Sequence, residues 1–284
     1  MSQRSAKTCL YLKLQQQQTP SRQAVTDDTV DVLAACGSHS QLSEWRRIWE
    51  LANAAYFNRQ HRVLWWRVLH GSVMCGAYRA YIGRATPEKA CCPFACCSSL
   101  SQPQTISHMF LGCPVAATVV SWLCRLWQAM TGHLPDASVA TMLAASTSEG
   151  QCVSDALLQT WHRLRLAVLH SVWTAAQIAA SSSQGPPLAS PPGPHSHFAS
   201  RLALKTVVAM IHHDWAKCTD DVRQVAGVCS SWLRGRDPSM SMEAFQQLWC
   251  HNSTLASVHT VLTGTEERLE LCVHLSDSSP VPLF

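Results

Sequence analysis

Apolar residues in this chain come in blocks, and most blocks repeat every three or four positions. Trp45, Ile48, Trp49, Ala52 and Ala55 fall on one face of a helix that begins near Ser43. A second apolar run, Val63 to Leu69, holds Trp65 and Trp66 and is punctuated by Gly71. Val73, Met74, Ala77, Tyr78 and Tyr81 resume helical spacing until Gly83 and Pro87 end it. Val119, Trp122, Leu123, Leu126, Trp127 and Met130 form the apolar face of a helix that starts at Cys113-Pro114. Proline is tolerated at the first helical position because its missing N–H has no partner there. Gly132 and Pro135 follow that helix, and Ser138 to Ala145 predict a short one. The clearest stripe is Leu157, Trp161, Leu164, Val168, Val172 and Ala176. Phe198 to Trp215, Val222 to Leu233 and Met242 to Trp249 also read as helical. Val258–Val261 and Leu269–Val273 read as short strands. The expected fold class is mainly α.

Punctuation divides the chain. Residues 1–40 are polar, carry the glutamine run Gln15–Gln18, and read as a disordered or loose arm. Residues 41–130 form a helical domain with a metal-stapled loop, and 131–180 are its helical extension. Residues 181–197, SSSQGPPLASPPGPHSH, read as a Ser/Pro/Gly linker that holds neither helix nor sheet. A second helical part, 198–250, and a tail, 251–284, with the two short strands complete the expected order.

Composition narrows the class. Hydrophobic content of 47% against 14% charged residues predicts a packed core rather than disorder. No uninterrupted apolar run reaches about 18 residues, so no membrane span is expected. Cys9 to Leu14 is too short for a secretory h-region and is broken by Lys13. The expectation is an intracellular protein of nucleus or cytoplasm, whose 14 cysteines are reduced thiols or metal ligands. The net charge of +4 is concentrated. Between Gln41 and Ala90, Arg46, Arg47, Arg59, Arg62, Arg67, Arg79, Arg84 and Lys89 face only Glu44, Glu50 and Glu88. Such a basic segment suits contact with a phosphate backbone, RNA or DNA, with Arg46, Arg47, Arg59, Arg62, Arg67 and Arg79 as the candidates. A solvated helix face is the plain alternative. Trp45, Trp49, Trp65 and Trp66 read mostly as core, with room for one exposed indole to stack on a base.

The chemistry concentrates in residues 91–114, CCPFACCSSLSQPQTISHMFLGCP. Cys92, Cys96, His108 and Cys113 give C-x3-C-x11-H-x4-C, a set that can close a tetrahedron around one structural zinc ion. The doublets leave the choice open, since Cys91 with Cys96, or Cys92 with Cys97, leaves four residues between ligands. The Ser/Gln/Pro-rich stretch 97–107 cannot bury much by itself, so a metal is physically useful there. Lone cysteines such as Cys124, Cys152, Cys218, Cys229, Cys250 and Cys272 read as small packed side chains. His70 reads as a helix cap, and His212-His213-Asp214 as a helical stretch with one imidazole in and one out.

Residues 45–130 resemble the zinc-binding domain that follows reverse transcriptase in non-LTR, LINE-type retrotransposons. The resemblance lies in Trp66-Arg67-Val68-Leu69-His70-Gly71, in Gln104-Thr105-Ile106-Ser107-His108-Met109-Phe110-Leu111-Gly112-Cys113-Pro114, and in Trp122 beyond. The chain departs from that pattern in a first cysteine gap of three rather than two, and in Gln104 where the family has Glu. The resemblance implies nucleic-acid association accessory to reverse transcription, with a retroelement reverse transcriptase as a partner. It brings no catalysis. Asp27-Asp28 and Asp220-Asp221 lack the strand-hairpin setting of a two-metal polymerase centre and read as surface or capping acids. No nucleophile elbow is present, so neither an enzyme nor a small-molecule substrate is expected. A zinc-stabilised protein-interaction module, or a retroelement fragment without function, is the alternative.

Overall fold

The computed structural model describes residues 48–54, 56–98, 101–143, 154–182, 193–219, 240–263 and 266–275. The fold is mainly α, as the periodicity implies. After a helical segment at 48–52 come α1 (Arg59–Leu69), α2 (Gly76–Tyr81) and the single turn α3 (Ala95–Ser98). Then follow α4 (Pro114–Thr131), the short α5 (Val139–Met142), α6 (Asp155–Ser182), α7 (Gly193–Thr219) and α8 (Met242–Trp249). Strands β1 (Ala256–Thr263) and β2 (Glu266–Val273) form one antiparallel hairpin, with Ala256 opposite Val273 and Thr263 opposite Glu266.

Local chemistry fixes the helix ends. The Asn58 side-chain oxygen Oδ1 accepts from the His61 N–H at 2.7 Å and starts α1. At the other end Gly71 takes φ +60°, and Ser72 N–H reaches back to the Arg67 carbonyl at 2.8 Å. This left-handed turn closes the helix and frees the chain to leave it. The apolar spacing from Val73 predicts a helix there, but α2 begins only at Gly76. A Cβ at Gly76 would sit 2.7 Å from the Ala90 carbonyl oxygen, so the helix starts where only glycine can pass. Pro114 opens α4 at its first position, and Gly132 ends it at φ +78°.

α6 is the centre. Its sequence reads as an amphipathic stripe, yet every residue from Thr160 to Leu169 is buried. α1, α4, α7, α8 and the turn at His108–Gly112 all pack against it. One hydrophobic core runs from Ile48 through Trp65, Leu123, Leu164, Ile211 and Trp249 to Ala256. The expected division into two helical parts is therefore not a division of the core. The segment 181–197 is also not all linker, because α7 begins at Gly193. Pro194 falls in its first turn, where a proline removes only an N–H without a partner.

Burying the middle of α6 on all sides brings charge inside. Arg163 pairs with Asp214 of α7, and the Trp249 indole N–H of α8 donates to the same carboxylate oxygen at 3.0 Å. His213 and Lys217 reach its other oxygen at 3.5 and 3.8 Å. Burial pushes the Asp214 carboxyl upward, but these donors outweigh it and hold the group below the usual carboxylate range. In the His212-His213-Asp214 stretch the buried member is thus the acid, while His212 is exposed and His213 half-buried. Arg165 lies over the Trp65 ring at 4.4 Å and donates to the Met142 carbonyl.

The arm 1–40, Trp45, Arg46, Arg47, Asp27-Asp28, Asp220-Asp221 and the expected helix 222–233 lie outside the described residues.

Candidate metal centre

The loop that carries the thiols is held at its neck by backbone pairing. Cys92 N–H donates to the Gln102 carbonyl and Gln104 N–H to the Ala90 carbonyl, each at 2.8 Å. Between these strands the chain buries Phe94 and turns into α3, with Cys97 N–H donating to the Phe94 carbonyl at 2.9 Å. Residues three apart on a helical turn share a face, so Cys97 follows Phe94 inward and Cys96 does not. The buried thiol is Cys97, while Cys96 is half-buried with its Sγ 3.7 Å from that of Cys97.

The second half is built on a wide turn. The Thr105 hydroxyl accepts from the His108 N–H at 3.1 Å and caps it. Cys113 N–H then reaches the His108 carbonyl, five residues back, at 2.6 Å. Such π-type turns are uncommon and concentrate at functional positions. Met109 and Phe110, both fully buried, pin the turn into the core. Cys113 is the N-cap of α4, so its sulfur faces the N–H groups of Val115 and Ala116.

Four ligand atoms, from Cys92, Cys97, His108 and Cys113, lie within 4.8 Å of one another. The Sγ–Sγ separations are 3.9 Å for Cys92–Cys113 and 3.8 Å for Cys97–Cys113. A tetrahedral ion with metal–sulfur bonds of about 2.3 Å has sulfur–sulfur edges of about 3.8 Å. His108 Nε2 is buried without a hydrogen-bond partner among the described residues. An orphaned imidazole nitrogen beside three buried thiols is the donor set of a metal site, and these residues can hold one ion. The motif becomes C-x4-C-x10-H-x4-C, so Cys97 takes the place assigned to Cys96 on spacing. In the sequence the only pointer was Phe94, three residues before Cys97, and its burial is decided by the fold.

Electrostatics shows what a cation would offset in the cluster. The Cys92 thiol stabilises a Cys113 thiolate, and the His108 ring and the two α4 N–H groups add to this, against the effect of burial; Cys113 is pulled down to about 4. Cys92 is pushed up, chiefly because its proton is shared with Cys113 and then by burial. Burial, followed by the Cys113 charge, pushes Cys97 up to about 12. One thiolate is favoured and the next two are opposed, so only a bound cation lets all three ionise together.

Gln104 does not serve His108. Its buried side-chain oxygen accepts from the Gly76 N–H at 2.7 Å and starts α2. The glutamine therefore joins the metal loop to α2, a role that needs an acceptor and no charge. Among the lone cysteines, Cys124 is buried as expected, Cys218 and Cys250 are half-buried, and Cys272 is exposed on β2. An edge position on a two-stranded hairpin gives Cys272 nothing to pack under.

Of the six candidate arginines, Arg59, Arg62 and Arg67 share the outward side of α1 with Val63, Trp66 and His70. None of the three forms an ion pair among the described residues, where the ion pairs converge on Asp214. Arg79 stands apart on α2, half-buried. Among the described residues no helix is long and apolar enough to cross a membrane. No family model, curated protein or solved structure matches this chain.

Proposed function

We propose that this chain is a zinc-stapled nucleic-acid-binding protein, of the kind that its resemblance to the reverse transcriptase zinc-binding domain implies. Three thiols and one imidazole suit zinc best among common ions, and four protein ligands leave no open position for a water. The ion is structural. Cys92, Cys97, His108 and Cys113 hold it, and it neutralises their charge at the start of α4. The chain has no catalytic part in this reading and acts beside a retroelement reverse transcriptase.

The observation that carries the reading is the outward face of α1, where Arg59, Arg62 and Arg67 have no acidic partner among the described residues. Guanidinium groups left free in this way fit a phosphate backbone. α1, which carries the basic face, and the His108–Gly112 turn, which carries His108, both pack on α6.

Elemental analysis of the purified chain tests the first half, with about one zinc per chain expected. Salt titration tests the second. Affinity for RNA or DNA should fall linearly on a log–log plot, and changing Arg59, Arg62 and Arg67 together to Gln should flatten the slope by about two to three. Failure to bind either nucleic acid at low salt would reject the reading in favour of a protein-interaction module.

A further inference from the structure

We propose that the ligand of the α1 face is a single strand, one of whose bases stacks on the exposed surface of Trp66. This rests on the nucleic-acid reading above and specifies which form is bound. Trp66 is 50% exposed and Val63, one turn earlier, is 43% exposed. The other indole of the Trp65-Trp66 pair is fully buried. Leaving so large an apolar surface in water is unfavourable unless something covers it.

The indole is also braced. The His70 ring lies 4.0 Å from it, and Trp49 lies 5.1 Å from His70 on the same side of the protein. Burial holds the His70 ring toward its neutral form, so the three mutually tilted rings make an aromatic cluster rather than a patch of charge. His70 touches Trp66 at a tilt, and half of the tryptophan surface stays in solvent. Arg59, Arg62 and Arg67 flank it on the same helix face, spread over about 12 Å of helix axis. A base on the indole with phosphates on the guanidinium groups satisfies both features. In a duplex each base is covered by its neighbours, so only phosphates and base edges are offered. The arginines bind either form, but the indole gains only from an unpaired base. An acidic protein would match the charge and leave the flat ring without a partner.

Fluorescence anisotropy with the full, zinc-loaded chain tests this, using labelled oligo(dT), labelled oligo(rU) and a mixed-sequence duplex of equal length. At one salt concentration at least one single strand should bind more tightly than the duplex. Trp66→Ala should weaken that single strand roughly fivefold to a hundredfold and leave its salt slope unchanged, since no charge is lost. Trp66→Phe should keep most of the affinity. Changing the three arginines to Gln should flatten the slope for strand and duplex alike. If Trp66→Ala binds single strands as the parent does, or if the duplex is preferred, while the arginine changes still weaken binding, the stacking inference is wrong and the nucleic-acid reading stands. If neither strand nor duplex binds, both fall. A polyglutamate peptide that competes as well as the single strand overturns the inference too.

Discussion

The thiol cluster at 92–113 and the polar belt around α6 both remove ionisable groups from water, by opposite routes. The cluster gathers its donors from neighbouring turns. Cys92, Cys97, His108 and Cys113 span one loop, and their distances follow from local bonds: the neck at Cys92–Gln102, the Thr105 cap and the π-type turn. It contains no cation of its own, so its charge waits on an ion. The belt is assembled from distant parts of the chain. Arg163 and Asp214 are 51 residues apart, and Trp249 is a further 35 from Asp214. Its charges cancel one another once three helices meet. On the metal reading proposed above the loop is conditional on an ion, whereas the belt is conditional only on folding.

The largest way to break this contrast is to remove the ion. Chelation, or Cys97→Ser, should abolish stoichiometric metal and speed hydrogen exchange through 91–131, while the middle of α6 keeps its protection. Structural zinc sites contribute about 10 kcal/mol or more of apparent binding energy. Cys96→Ser should leave metal content and exchange unchanged. Equal loss in the two variants would show that the loop does not distinguish the thiols as its geometry implies.

Next in size is the belt. Asp214→Asn leaves a buried guanidinium without its counter-charge, a loss of about 3–5 kcal/mol in denaturant unfolding. Arg163→Met combined with Asp214→Leu should recover most of this, leaving the Trp249 N–H as an orphan donor at about 1–3 kcal/mol. Metal content should stay the same in both. Loss of metal from Asp214→Asn would mean that the two regions are coupled.

Acid gives the smallest effect. His61 of α1 packs beside His170 of α6, and burial, aided by repulsion from His170, holds its imidazole down to about 3 from an ordinary 6.5. The unfolded chain therefore takes up a proton below about 6.5 that the folded chain refuses. This contribution is full above about pH 6.5 and falls as pH drops toward 3, by about 1.4 kcal/mol at pH 5.5. His61→Phe should flatten that part of the stability–pH curve, and an unchanged curve would place His61 in water.

The difference between the two regions is also a difference in what can be read from a sequence. The helices were legible because their signals are local: the apolar period, Pro114 at an N-terminus, Gly71 and Gly132 just past C-termini. The metal set was largely legible for the same reason, since all four ligands fall within 22 residues. Cys97 against Cys96 was not, because spacing admits both and only the burial of Phe94 turns one inward. The role of Gln104 was hidden as well, since its partner is a backbone N–H at Gly76, 28 residues earlier.

By itself, the sequence determined the fold class, several helix ends such as Pro114, Gly71 and Gly132, the loop that gathers the thiols and the basic character of α1. Tertiary structure alone decided that the middle of α6 is buried all round, that the parts on either side of 181–197 share one core, that Asp214 belongs to Arg163, and that Trp66 rather than Trp65 meets solvent. The physical reason is range. Capping, turns and helical period are set within a few residues, whereas burial and charge pairing depend on which distant surfaces meet, and no short stretch carries that information.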